Sequence, residues 1–228
     1  MKTMTMSVIV VLLLAAGLVA QTPEDIRTVG AFLLGALTGD TEKFERGMRT
    51  LESLIAENPA DARLKVLYGT GMFAQSGAAF RKGDVPNAMK LWQSSLAEMA
   101  QAVAMAPDNI FVRARRGVVL IAASRATPPA MAMPLTQLAV DDFEKVLAIR
   151  EKEQTLSLQS AHKRGELLTG LADGWNRLGN QDKARGYFER ITRELKGTIY
   201  EQRANAWLED KPEATAADYF ACSGCHVD

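Results

Sequence analysis

The residues best suited to chemistry lie close together near the C-terminus of the sequence. The chain has two Cys and two His among 228 residues, and three of these four occur as Cys222, Cys225 and His226. Two thiols three positions apart and an adjacent imidazole can form thioether bonds, ligate a metal or cycle as a dithiol. The order of the three residues decides among these chemistries.

The order Cys222, Cys225, His226 is that of covalent haem c attachment. The two thiols can add to the two vinyl groups of one porphyrin, and the adjacent imidazole then becomes the proximal ligand of the iron. A zinc site would need a fourth ligand, which His162 would have to supply. A redox-active Cys pair would need a strand and helix context, which the sequence lacks. We therefore predict one covalent haem, with zinc and a disulfide or redox pair as alternatives.

The ligand on the other side of the iron would set the function. His162 is the only other His, and helical spacing places it opposite the apolar stripe of its predicted helix, toward solvent or a groove. It is either an ordinary surface residue or a ligand of the haem, within one molecule or between molecules. Met131 and Met133 lie in a segment framed by prolines, which we expect to be a loop. This loop either presents a thioether to the iron or is a connector that buries both Met side chains. An open position for a gas molecule is the third alternative. We expect Tyr219 and Phe220 to pack against the porphyrin and exclude water.

The N-terminal segment has the layout of an export signal. Lys2 precedes an apolar run over 8–14, which is followed by small residues, as is typical of a bacterial secretory signal peptide. We predict that residues 1–20 are this signal and that the remaining chain is periplasmic or otherwise exported. The alternative is an uncleaved membrane anchor, although the apolar run is short for a membrane span.

The composition excludes several classes of protein. A formal net charge of zero and a pI near 6.8 argue against a nucleic-acid binder, which needs a basic surplus. Two Cys cannot build a disulfide-rich scaffold. Hydrophobic residues make up 47% of the chain and charged residues 24%, as in an ordinary globular protein with a substantial core.

Helical spacing of apolar residues runs through the rest of the chain, and we find no convincing strand alternation. A first helix should start near Thr22 and Pro23. Breaks at Gly, Pro and Asn divide the following sequence. The predicted helices span 40–58, 60–82, 85–106, 109–125, 135–151, 155–178, 182–196 and 198–209. We predict an all-α fold, with a helical domain over 21–211 and a short haem attachment segment over 212–228.

Residues 170–191 resemble a tetratricopeptide repeat. The matching packing positions are Leu171, Ala172, Trp175, Ala184, Phe188 and Ile191. Residues 139–147 repeat the second-helix pattern, and weaker copies occur around Gly47 and Ala88. Ala139 and Ala184 are 45 positions apart, which exceeds the standard repeat of about 34 residues. The resemblance implies antiparallel helical hairpins stacked as a degenerate superhelix, with a concave groove that binds a protein.

A haem motif at the C-terminus of an all-helical chain is also similar to cytochromes of the c-prime type, whereas the common mono-haem cytochrome c carries its motif near the start. Length and repeat pattern depart from the c-prime family. We find no convincing catalytic acid–base constellation, so we expect electron transfer with a redox partner protein rather than an enzyme. The alternatives are a five-coordinate haem gas binder or sensor and a non-redox adaptor. We expect no nucleic-acid partner, a membrane contact only if residues 1–20 are retained, and an oligomer if a neighbouring subunit supplies the distal ligand.

Overall fold

The computed structural model describes residues 40–209. The predicted signal peptide, the helix expected near Thr22, and the segment that carries Tyr219, Phe220 and the Cys222–His226 motif lie outside the described residues. Within them the structure has eight α-helices and no strand, which confirms the all-α class. The helices are α1 Thr41–Glu57, α2 Ala62–Arg81, α3 Val85–Met105, α4 Ile110–Arg125, α5 Pro129–Lys152, α6 Ala161–Arg177, α7 Gln181–Glu194 and α8 Ile199–Leu208.

Side-chain caps start nearly all of these helices. Seven of the eight begin after a residue whose side chain accepts a hydrogen bond from a backbone N–H of the first turn. Such a cap contributes about 1 kcal/mol to helix stability, because those N–H groups have no partner within the helix. The capping residues are Asp40, Asp61, Asp84, Asn109, Ser160, Asn180 and Thr198.

Helix α5 differs from its prediction. It begins at Pro129 rather than at residue 135, and it includes Pro134. Pro128 has no side-chain cap to offer, but Pro129 in the first turn has a ring that already fixes φ at a helical value. Pro134 is retained at the cost of one backbone hydrogen bond. The expectation of a loop that presents Met131 and Met133 is therefore wrong, because both residues lie in the first two turns of α5.

The start of α6 also differs from its prediction. The helix begins at Ala161 rather than at residue 155, and residues 153–160 form a connection that contains two turns. Gln154 adopts a positive φ of 57°, which ends the helical path after α5. Leu156 is buried and attaches this connection to the core. The predicted helix over 155–178 was too long because the connection contains neither Gly nor Pro.

The helices pack as neighbours along the chain. Helix α2 lies against α3, α4 against α5, and α6 against α7, and each of these pairs is joined by three residues. Helix α1 packs on α2 and α8 packs on α7, whereas α2 contacts α4 and α5 contacts α6 between pairs. Residues 40–209 are thus arranged as successive helical hairpins with contacts between them. None of the helices in this range is both long and apolar enough to cross a membrane.

A small residue followed four positions later by an aromatic one recurs in the second helix of each hairpin. The alanines have no exposed surface, and the aromatic side chains are at most 8% exposed. A buried Ala allows two helices to approach closely, and burial of each aromatic ring contributes roughly 1.5–3 kcal/mol. The pairs are Ala88 and Trp92 in α3, Ala139 and Phe143 in α5, and Ala184 and Phe188 in α7.

Candidate functional site

The described part of the candidate site is the region around His162. This residue is the second of α6, and its side chain is 39% exposed. Leu171, on the opposite side of the same helix, has no exposed surface. Ser160 fixes the start of the helix, since its hydroxyl accepts a hydrogen bond from the backbone N–H of Lys163 at 3.2 Å. The imidazole is therefore held at a helix end that solvent can reach.

Tyr200 of α8 orients the His162 ring. The phenol oxygen lies 2.5 Å from Nδ1 of the imidazole, and the tautomer of the ring decides which group donates. The Tyr200 ring reaches this position because Gly165 has no side chain: a Cβ there would lie 2.4 Å from a ring carbon. When Nδ1 carries the proton and donates a hydrogen bond to the Tyr200 oxygen, Nε2 keeps its lone pair and can ligate a metal.

Glu166 lies on the other side of the imidazole. Its Oε1 is 3.5 Å from Nε2 of His162, and the carboxylate side chain is only 14% exposed. Burial raises the pKa of Glu166 above the usual 4.5, while the charges of His162 and Arg115 act to lower it. His162 thus has a hydroxyl at one ring nitrogen and a partly buried carboxyl group near the other.

Met131 and Met133 lie far from His162 along the scaffold. The side chains of Met131 and Met133 are 45% and 54% exposed, near the N-terminal end of α5. The C-terminal half of α5 is the part next to the start of α6, because Val146 and Lys163 line one cavity. Met133 and Lys152 are 19 positions apart, or about 28 Å along the helix. The His and the two Met side chains are therefore alternatives for a distal ligand and do not form one site.

A cavity of about 220 Å³ lies beside Glu166. It lies between α4, the end of α5, the connection over 153–160 and the start of α6, and it is partly open to solvent. Its apolar wall comprises Ile110, Phe111, Ala114, Val118, Phe143, Val146, Leu156 and Leu167, and its polar lining comprises Arg115, Arg150, Gln159, Lys163, Arg164 and Glu166. The sequence analysis did not identify this cavity, because its residues carry no motif and come from four separate segments.

The described residues contain no obvious metal cage of their own. Across residues 40–209, no group of three or more His, Cys, Asp or Glu side chains is placed to hold a metal ion. A zinc site that includes His162 would therefore depend on Cys222, Cys225 and His226, which lie outside the described residues. The same three residues carry the haem prediction.

Comparison with known proteins adds no family to this description. No protein-family model matches the chain, and no curated protein or solved structure is significantly similar to it. The function must therefore be argued from the residues of this chain.

Proposed function

We propose that the protein is an exported mono-haem c-type cytochrome-like protein that exchanges electrons with a protein partner. The observation that carries the proposal is the motif formed by Cys222, Cys225 and His226 in a chain that has only one other His and no other Cys. The two thiols would hold haem c covalently, and His226 would be its proximal ligand. When bound, the haem supplies a reversible one-electron couple. The apolar run near the N-terminus supports export, which c-type haem attachment in bacteria requires.

His162 is the distal ligand that we propose. The chemistry of its surroundings fits this role, because the Tyr200 hydroxyl can accept a hydrogen bond from Nδ1–H and leave Nε2 for the iron. Tyr200 and Leu208 are eight positions apart in α8, about 12 Å along its axis. Fourteen further residues lead to Cys222, and a chain of that length spans up to roughly 46 Å. Covalent geometry therefore permits a haem held at Cys222 to reach His162.

The helical hairpins are the proposed docking surface for the redox partner. The resemblance of residues 170–191 to a tetratricopeptide repeat and the contacts between successive hairpins support a stacked scaffold of that kind. Such a scaffold would hold the partner near the haem, and electron-transfer encounters need only a small interface. Tyr219 and Phe220 would shield the porphyrin edge from water and so affect its potential.

A second candidate function is a five-coordinate haem gas binder. One observation favours it: both ring nitrogens of His162 already face protein groups, with Tyr200 at 2.5 Å and Glu166 at 3.5 Å. If these contacts persist in the holoprotein, the sixth position of the iron stays open. A non-redox adaptor would be the remaining function if no haem is attached.

Absorption spectra of the exported protein with and without carbon monoxide distinguish these functions. We expect a low-spin spectrum that carbon monoxide does not change after reduction. The variant His162→Ala should become high-spin and bind carbon monoxide, whereas the control variant with Met131→Leu and Met133→Leu should match the wild type. If the wild type is high-spin and binds carbon monoxide, electron transfer is contradicted and gas binding becomes the proposed function.

A further inference from the structure

We propose that the cavity beside Glu166 binds a small organic anion with an apolar body, such as an aromatic carboxylate. This Arg164 cavity, as we call it, is defined by the lining residues given above, and the inference does not depend on the haem. Three properties support it: the size of the cavity, a lining arginine whose buried Nε has no hydrogen-bond partner, and an excess of basic side chains in the lining.

The size suits a single ring that carries a carboxylate. The cavity has a volume of about 220 Å³. An apolar protein cavity of about 150 Å³ is known to hold a benzene molecule. The Arg164 cavity therefore accommodates a benzene-sized ring and leaves room for two oxygen atoms.

The apolar wall suits the ring of such a ligand. Phe111 and Val118 of α4 form one side, and Phe143 of α5 and Leu167 of α6 form others. Phe143 is almost completely buried and belongs to the main core, so this wall rests on the packed interior of the protein. A rigid apolar wall favours a preformed pocket over a surface that must first reorganise.

Arg164 supplies a donor that is not satisfied within the described chain. Its Nε is buried and has no hydrogen-bond partner among residues 40–209. A buried donor of a charged group without a partner costs free energy, and a carboxylate oxygen is the acceptor that best removes this cost. The positively charged guanidinium of Arg164, which lines the cavity, therefore favours an anionic ligand over a neutral one.

The charge of the lining also favours an anion. Four basic side chains, those of Arg115, Arg150, Lys163 and Arg164, line the cavity, against the single carboxyl group of Glu166. Arg115 is only 6% exposed, so part of this positive charge lies where water screens it poorly. Glu166, the one carboxyl group of the lining, lies 3.5 Å from the His162 imidazole. The remaining field attracts a carboxylate.

Three ligands of nearly equal shape test the proposal. Benzoate, benzamide and benzamidine are planar and similar in size, but they are anionic, neutral and cationic. Isothermal titration calorimetry on the full exported chain should give one benzoate site with a Kd below about 1 mM, and at least about tenfold weaker binding of the other two. Equal binding of benzamide, tighter binding of benzamidine, or no heat from benzoate would each overturn the proposal.

Two variants place the binding in this cavity. Arg164→Met removes the unsatisfied donor, and we expect it to weaken benzoate binding at least about tenfold. Ala114→Leu extends a side chain into the cavity and should abolish binding. Arg193→Met, which changes an exposed arginine of α7, is the matched control and should bind like the wild type.

Thermal unfolding followed by circular dichroism shows which variants fold. If Ala114→Leu does not fold, the benzoate affinity of Arg164→Met alone tests whether the ligand binds in this cavity. Benzoate binding that is unchanged in Arg164→Met would overturn the assignment to this cavity.

Discussion

The Phe143 ring of α5 occupies the space that a side chain at Gly170 of α6 would need. A Cβ built on Gly170 would lie 2.7 Å from Cε2 of the ring, and a Cβ on Gly117 of α4 would lie 2.7 Å from Cε1 on the opposite edge. The ring is thus held between two helices that can approach it only because both positions are Gly. This contact joins the hairpin of α4 and α5 to the hairpin of α6 and α7. The Phe143 ring also forms part of the wall of the Arg164 cavity.

The first prediction concerns this contact. Gly170→Ala should lower the free energy of unfolding by about 1–3 kcal/mol, because the added methyl group overpacks a core that cannot yield without moving a helix. Urea denaturation followed by circular dichroism measures the change.

Gly186→Ala is the matched control for that substitution. Gly186 lies within α7 and no atom lies within 4 Å of the position of an added Cβ, so Ala should raise the helix propensity and stabilise by roughly 0.5–1 kcal/mol. If both substitutions stabilise the protein, the close packing of Phe143 against Gly170 is contradicted.

The second prediction concerns a buried carboxylate. Asp142 has no exposed surface, and its Oδ1 lies 2.7 Å from Nη1 of Arg113 while its Oδ2 lies 2.6 Å from Nε of Arg116. Asp142→Asn leaves two partly buried arginines without their carboxylate, so we expect a loss of about 3 kcal/mol in unfolding free energy. The neighbouring Asp141 is exposed, and Asp141→Asn should change the stability by less than about 0.5 kcal/mol. Equal effects of the two substitutions would show that the pairing of α4 with α5 does not depend on these ion pairs.

The third prediction is a dependence of stability on pH that comes from Glu166. Burial raises the pKa of Glu166 above 4.5, so the folded protein binds its proton more tightly than the unfolded chain does. The buried charge therefore costs stability at pH values above the folded pKa, and this cost disappears as the pH falls through that pKa to 4.5. Glu166→Gln should be more stable than the wild type at neutral pH, and the difference should shrink as the pH falls.

Urea denaturation at several pH values measures this difference. Glu189→Gln, at an exposed position of α7, is the control and should follow the wild type at every pH. A difference that grows as the pH falls would contradict the raised pKa.

Most of the helical architecture could be predicted from the sequence because its signals are local. Gly83, Gly179 and Gly197 follow the ends of helices and adopt φ values of 74–80°, a conformation that Gly accepts readily. Asp and Asn caps mark most of the starts. These residues act within a few positions of themselves, so the sequence pattern is sufficient to place the breaks.

The start of α5 could not be predicted because proline is common both in loops and in the first turn of a helix. Pro128, Pro129 and Pro134 together suggest a loop, yet Pro at the first helical turn favours a helix. Leu135 and Ala139 pack in the core, and this packing stabilises the helix. Local sequence patterns do not show this stabilisation by tertiary packing.

The surroundings of His162 could not be predicted because they are formed by distant segments. Tyr200 is 38 positions away in the sequence, and its approach depends on Gly165 in another helix. The Arg164 cavity likewise combines α4, α5 and α6. The sequence predicted only that His162 would lie away from the apolar stripe of its helix.

The measurement that tests the central proposal most directly is the mass of the exported protein after denaturation, together with its pyridine haemochrome spectrum. The protein should be produced in a host that attaches c-type haem, as the wild type and as a variant in which Cys222 and Cys225 are both Ala. We predict that the wild type keeps one haem through denaturation and shows the spectrum of a haem joined by two thioether bonds, whereas the variant loses the haem. A wild-type chain with the mass of the polypeptide alone would contradict the proposal that this protein is a c-type cytochrome.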